Sequence, residues 1–354
     1  MIRSNSKLRI IVLSCRPQKN DFRIHLADAF RQAGYETLYI STVDRGYTLS
    51  ATDLLSAAKA SFIRLIALVR HFTRSGQVNL LIDSTNTSSP FLILLFWLSA
   101  RRTVWCFDMH DDLLYDAVGL HRLYNRISQL FHTKISDTIF TSAPTLNGLF
   151  SQAIHIGNAS HITRTSRQKL IVHRVLILSS LDERFDFKLL LAVATDCAAI
   201  VFDIYGHIHR NDRIIRAQIE GLVTQRGNIK YHGPYVTSDI ESLVRKYDVS
   251  FAPYRTGVGL TKHIDPLRFY HCLNAGMEVL TTDIPAIKHF SNAVHIIRGP
   301  NDFRDTIGRL GTARGARKNI GIQYKEVTWA DRGRQIIDAA KVLPKFQKLI
   351  AESP

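Results

Sequence analysis

Short apolar runs rich in Val, Ile, Leu and Phe recur along the whole chain, and stretches of helical period separate them. That rhythm constrains the fold more than any other feature. Parallel strands need long crossover connections, usually helices, so the alternation predicts α/β architecture with parallel sheets. In the first half the spacing predicts strands at Arg9–Ser14, Glu36–Ser41, Leu80–Asp83, Thr103–Asp108 and Thr138–Ser142, with helical period over Phe22–Gly34 and Ala51–Arg74. The basic stretch His161–Lys169 reads as a linker, and a second series follows it. There the strands are Val175–Ser179, Ala199–Tyr205, Ile229–His232, Val249–Ala252 and Glu278–Thr282. The helices are Asp186–Thr195, Arg213–Thr224, Ser238–Tyr247 with Ser238 as cap, Leu267–Ala275, and a last one at Trp329–Val342. With 354 residues the chain is too long for one ordinary core and suits two α/β halves of similar size.

Composition narrows the partners. Lys plus Arg number 46 against 30 Asp plus Glu, a formal charge of +16 that favours nucleotides, nucleic acid or an acidic membrane surface. Four cysteines, Cys15, Cys106, Cys197 and Cys272, lie far apart in apolar stretches, which excludes a disulfide scaffold and a zinc ribbon and suits reduced thiols in a cytoplasmic protein. The apolar run Ile10–Leu13 is too short for a signal peptide, and a buried first strand accounts for it. Phe91–Ala100 is the greasiest stretch, yet a spanning helix needs about 20 residues. It reads as a core helix, or as a helix pressed on a membrane with Arg101 and Arg102 at the phosphates.

Two strand-end constellations carry chemistry. In the second half, Asp265-Pro266 precedes a helix that Gly276 closes, so Asp265 is expected as cap and Pro266 as first helical residue. Arg268 lies in the first turn, Lys262 just before it, and Tyr254 after the preceding strand. A helix start with adjacent cations is a diphosphate site, because the free N–H groups and the dipole favour anions and Arg binds phosphate bidentately. In the first half, VWCFDMHDDLLYD sets Asp108, His110, Asp111 and Asp112 at a strand end, where open α/β sheets bind ligands. Asp111 and Asp112 are equally suited to cap a helix at Leu113.

The stretch APYRTGVGLTKHIDPLRFYHCLNAGMEVLTTDIPAI resembles the nucleotide-sugar segment of GT-B glycosyltransferases: a strand, Pro-Tyr, a gap, then P-x-K-x-x-E-Y-L-A-x-G-x-P-V-V-x-T. ILSSLDERFDFKLL and NIKYHGPYVTSDIESLVRKYDVSFAPY are similar to earlier parts of the same donor domain, so the likeness covers most of residues 171–290. The resemblance implies two Rossmann-like domains facing across a cleft: residues 1–165 for the acceptor, 166–325 for the donor, and 326–354 as a helix returning to the first domain. It places Arg268 where a lysine holds the donor diphosphate, Pro266 and Leu267 at the phosphates, Tyr254 beside the donor, Gly233 and Tyr235 at the base, and His207 near the sugar. His271 stands where family 4 enzymes carry a ribose-binding Glu, and Met277-Glu278 replaces Lys-Pro; bacterial exopolysaccharide enzymes of the glucuronosyltransferase type are the nearer likeness.

The implied reaction moves a sugar from a UDP-sugar to a saccharide or lipid-linked saccharide, at the inner face of the plasma membrane, with no metal or other cofactor and no nucleic acid partner. The loop CRPQKND lacks the Gly-Gly pair of retaining members, which favours inversion; inversion needs a base, expected at Asp111 first, then His110 and Asp112. Two other readings compete. Asp108-x-His110 and Gly206-His207-Ile208-His209 match fragments of metallophosphoesterase motifs, but the intervening Asp and GNH blocks are missing. Net charge alone suggests a nucleic-acid binder, without a recognisable binding module.

Overall fold

The computed structural model describes residues 8–14, 21–41, 77–84, 101–110, 119–150, 152–164, 172–208, 212–290, 293–312 and 324–353. The helical stretch Ala51–Arg74, the Phe91–Ala100 run, Cys15, Asp111, Asp112 and His209 lie outside them. The chain divides into two compact units, one of residues Met1–Gly157 with Trp329–Pro354, the other Asn158–Thr328.

The first unit holds a six-stranded parallel sheet of β1 (Leu8–Ser14), β2 (Glu36–Ser41), β3 (Val78–Ser84), β4 (Thr103–Met109), β5 (Thr138–Thr141) and β6 (Ala153–His155), in the order β2-β1-β3-β4-β5-β6. Every residue of β1, β3 and β4 is buried, as continuous apolar strands covered on both faces must be. Helices α1 (Arg23–Gln32) and α2 (Gly119–Ile135) belong here, as do two C-terminal helices defined below. From β1 the chain continues to one side of the sheet and from β3 to the other, so the order switches between them and opens a crevice at their carboxyl ends.

In the second unit, β7 (Arg174–Leu178), β8 (Val201–Tyr205), β9 (Ile229–Tyr231), β10 (Val249–Ala252), β11 (Glu278–Thr281) and β12 (Val294–Ile296) form a parallel sheet ordered β12-β11-β10-β7-β8-β9. Alternate side chains feed two cores. Val175 and Ile177 join Phe202, Phe251 and Phe303 on one face, against α3 (Phe187–Asp196), α4 (Arg213–Gln225) and α6 (Pro300–Thr312). Leu176 and Leu178 turn to the other face, against α5 (Leu267–Asn274). Here the order switches between β7 and β10.

Several local expectations change. Helix α5 starts at Leu267 with Pro266 at the cap position and no side-chain cap bond. Asp265 is spent elsewhere: its Oδ2 accepts from the Asn158 N–H at 2.6 Å, and the Tyr270 hydroxyl donates to both carboxylate oxygens. The helix expected from Ser238 is a 3-10 turn, Thr237–Asp239, followed by the short helix Ile240–Val244. Residues 158–164, placed by sequence with the first domain, bind the second unit instead: Asn158 to Asp265, Ser160 to His271, and Ile162 through its carbonyl to Asn274. Residues Trp329–Pro354, carrying α7 (Trp329–Lys341) and α8 (Pro344–Ala351), belong to the first unit.

Candidate functional site

At the β7/β10 switch point the strands end at Leu178 and Ala252, and the loops beyond them are bound together. Asp186 N–H donates to Pro253 O at 2.8 Å and Arg255 N–H to Arg184 O at 2.7 Å. Arg268, in the first turn of α5, reaches into this crevice. Its guanidinium donates to Leu178 O, the last carbonyl of β7, and lies 5.3 Å from the centre of the Tyr254 ring. Tyr254 is buried and fixed at its backbone: its N–H donates to Thr282 Oγ1 at 3.0 Å, and the Thr282 hydroxyl returns a bond to Tyr254 O at 2.7 Å. Burial raises the phenols of Tyr254 and Tyr235, and the Arg268 charge works against that rise in both.

The loop after β7 adds a pair that the sequence did not single out. Arg184 grips the buried Asp182 carboxylate, Nε at 3.0 Å from both oxygens and Nη2 at 2.5 Å from Oδ2. Burial pushes the Asp182 carboxyl up, but Arg184, helped by Arg268, carries it below the ordinary value. An acid just past a strand end was the available signal, the one that flagged Asp108. Arg184 is therefore spent on Asp182, and the Arg268 guanidinium beside the start of α5 is what gives this strand-end crevice its anion-seeking character.

The other donor-side residues are placed as follows. Gly206, Gly233 and His207 sit in loops stitched beside the crevice: Gly206 N–H donates to Gly233 O at 2.8 Å and Leu181 N–H to His207 O at 2.9 Å. Gly233 takes φ +82°, the left-handed region, and the His207 side chain is exposed. Lys262 is exposed on the 3-10 turn Gly259–His263. Pro266 is buried and Leu267 half-buried at the start of α5. His271 does not line the crevice; it is buried, with Nδ1 at 2.8 Å from Ser160 Oγ and its ring edge-on to His161.

In the first unit the end of β4 carries a second cluster. Asp108 and Arg332 are each 1% exposed and form an ion pair of 2.7 Å. The other Asp108 oxygen lies 2.8 Å from His110 Nε2 and accepts from the Ser84 hydroxyl at 3.2 Å. Arg332 also donates to Ile156 O at 2.5 Å and to Gly157 O. Burial drives the Asp108 carboxyl up, but Arg332 and His110 together hold it far below the ordinary carboxylate value. Burial lowers His110, and Asp108 only partly opposes this while Arg23 adds to it, so the imidazole is neutral at neutral pH. With Nε2–H given to Asp108, the lone pair sits on Nδ1, a buried atom with no hydrogen-bond partner among the described residues. The arrangement can take a proton at Nδ1. The Asp108 carboxylate of the Asp108-x-His110 motif is already occupied by a guanidinium and an imidazole. Among the described residues no three His, Cys, Asp or Glu side chains form a metal-sized group.

No family model and no curated protein matches the sequence. Solved structures match its fold along nearly the whole chain. A sucrose-phosphate synthase from Thermosynechococcus elongatus aligns with TM-score 0.58 at 12% identity, covering 97% of each chain. A glycosyltransferase from Rickettsia africae aligns with TM-score 0.58 at 11% identity over 99% of this chain and 100% of its own. An α-glucosyltransferase solved with UDP and a 13-mer DNA reaches TM-score 0.61 at 12% identity, over 97% of this chain and 100% of its own. Two parallel six-stranded sheets with flanking helices, in this order along the chain, make the fold that of the GT-B glycosyltransferases.

Proposed function

We propose that the chain is a glycosyltransferase that moves a hexosyl or glucuronosyl unit from a UDP-sugar to a saccharide or lipid-linked saccharide, in bacterial surface or exopolysaccharide synthesis at the inner face of the plasma membrane. The observation that carries this reading is the Arg268 guanidinium at the β7/β10 switch point, over Tyr254 and at the start of α5. When the bond between the sugar and the diphosphate breaks, negative charge grows on the departing phosphate. Arg268, Lys262 and the free N–H groups of α5 meet it there, supplying from fixed positive charge and dipoles the stabilisation that a metal supplies elsewhere. His110, oriented by Asp108, takes the acceptor hydroxyl's proton at Nδ1; Asp111 and Asp112, outside the described residues, are the other candidate bases.

Calorimetric titration with UDP and GDP tests the donor site. Micromolar UDP binding without added metal, lost in Arg268→Ala with the fold intact, is expected. A variant that binds UDP as wild type sinks the assignment. A second acceptor is worth one assay, since the α-glucosyltransferase of similar fold was solved with DNA and this chain carries a charge of +16. Transfer of labelled sugar to duplex DNA, measured beside transfer to lipid-linked saccharide, decides between them.

A further inference from the structure

Helix α2 is built the wrong way round for a helix that serves only its own core. Among its described side chains Asn125, Ser128, Gln129 and His132 are the buried ones, and His132 stacks on Phe107 at 4.4 Å with Nε2 at 3.3 Å from Asp83 Oδ2. Leu123, Ile127 and Leu130 face solvent instead, 54%, 38% and 53% exposed. At about 100° per residue these three lie within about 60° of one another, opposite the buried polar face. They form a continuous apolar stripe, whereas apolar side chains scattered singly on a surface carry no such meaning.

Along α2 itself the charge has one sign. Arg122 and Arg126 are exposed along one flank, and exposed Lys134 stands one turn beyond Leu130. Helix α2 contains no Asp or Glu. A second copy docked here would set these cations against their own kind. An anionic lipid surface satisfies both features at once, taking the apolar side chains below the headgroups and the guanidiniums at the phosphates.

We infer that α2 is the element by which this chain lies on a membrane, its Leu123–Ile127–Leu130 stripe inserted to the acyl boundary and Arg122, Arg126 and Lys134 paired with anionic headgroups. Among the described residues no helix is long and apolar enough to cross a bilayer, so the contact is interfacial. The inference deepens the membrane location proposed above and is independent of the sugar chemistry.

The test is co-sedimentation of the full-length chain with vesicles of phosphatidylcholine alone and of phosphatidylcholine with phosphatidylglycerol. Wild type is expected on the anionic vesicles only, with binding that weakens as salt rises. Leu123→Ser/Ile127→Ser/Leu130→Ser leaves the charge of +16 unchanged, so nonspecific attraction persists, yet vesicle affinity should fall about tenfold or more. Arg122→Gln/Arg126→Gln should also bind less and show a shallower salt dependence. Equal binding by the apolar triple variant, or no wild-type binding to anionic vesicles, overturns the inference. So does a concentration-dependent dimer in sedimentation velocity that the triple variant abolishes, since the stripe would then be a self-association face. UDP titration of the same preparations keeps the two proposals apart: vesicle binding without UDP binding leaves the membrane surface standing and sinks the donor site, and the reverse result does the opposite.

Discussion

A carboxylate with both oxygens occupied and almost no water contact is held only by its partners. Asp108 has Arg332 on one oxygen and His110 with Ser84 on the other. Removing one member of a buried ion pair strands the other charge, at a cost of about 3–5 kcal/mol, while removing both charges is far cheaper. Arg332→Met should therefore lower the first unit's stability by about that much in urea titration, and adding Asp108→Asn should restore part of it. An Arg332→Met protein as stable as wild type would show the pair to be dispensable. The histidines of this unit give a second prediction. Burial lowers His110, and also His25 and His155, so below the free-histidine value of about 6.5 the unfolded chain binds protons that the folded chain refuses. Their stabilisation is complete above that pH and is lost as pH falls from it toward the lower folded values. The urea midpoint should drop between about pH 7 and 5, and His110→Gln should flatten the drop. A midpoint constant across that window, or an unchanged slope in the variant, contradicts the neutral imidazole.

Among the elements, those legible in the sequence are those whose own residues bury them. The β1, β3, β4, β7 and β10 runs are apolar and short, and the structure places strands within a residue or two of the expected bounds. Three-residue β6 and β12 carry mixed exposure and give no such signal. Helix α2 is not readable as a packed helix, because among its described side chains the exposed Leu123, Ile127 and Leu130 are apolar and the buried ones polar. Asp265 shows why caps mislead: Asp before Pro is a sound cap pattern, but an N–H 107 residues away competes for the carboxylate and wins. The pattern that singles out Arg268 is local, whereas the Arg184–Asp182 pair, though local, matches no pattern. One element junction sets a sharp test. A Cβ on Gly206 would stand 1.6 Å from Ser179 O, so the loops leaving β7 and β8 can cross only if this residue has none. Gly206→Ala should part these loops and abolish UDP binding. Gly227→Ala, with nothing within 4 Å of the added atom, should change stability by no more than about 0.5 kcal/mol. UDP titration and thermal melts of the two variants make the comparison, and a tight-binding Gly206→Ala protein would place the donor elsewhere.

At the scale of the molecule the chain closes its first unit last. Among the described residues β6 is the last strand of that unit's sheet, but residues 329–353 supply the guanidinium for Asp108, the Trp329 ring stacked on Phe22 at 5.5 Å, and Lys345, whose Nζ is 2.9 Å from Asp137. A Cβ on Gly333 would come within 3.1 Å of the Phe30 ring on α1, so α7 packs closely on α1 at this residue. None of this shows in a local window: Asp108 and Arg332 are 224 residues apart, and an entire second unit is threaded between them. In the second unit the Asp265, His271 and Asn274 side chains take partners from Asn158, Ser160, Ile162 and Val327 within it. A chain ended after residue 328 should lose the first unit's cooperative transition in scanning calorimetry, because a buried carboxylate and an aromatic stack are stripped together, while the second unit's transition and its UDP binding persist. If both transitions vanish, the second unit draws stability from the first, and the two cannot be treated as independently folding bodies. If both survive, the Asp108 pair is not what holds the first unit together, and the residue-scale cost expected for Arg332→Met must be wrong as well.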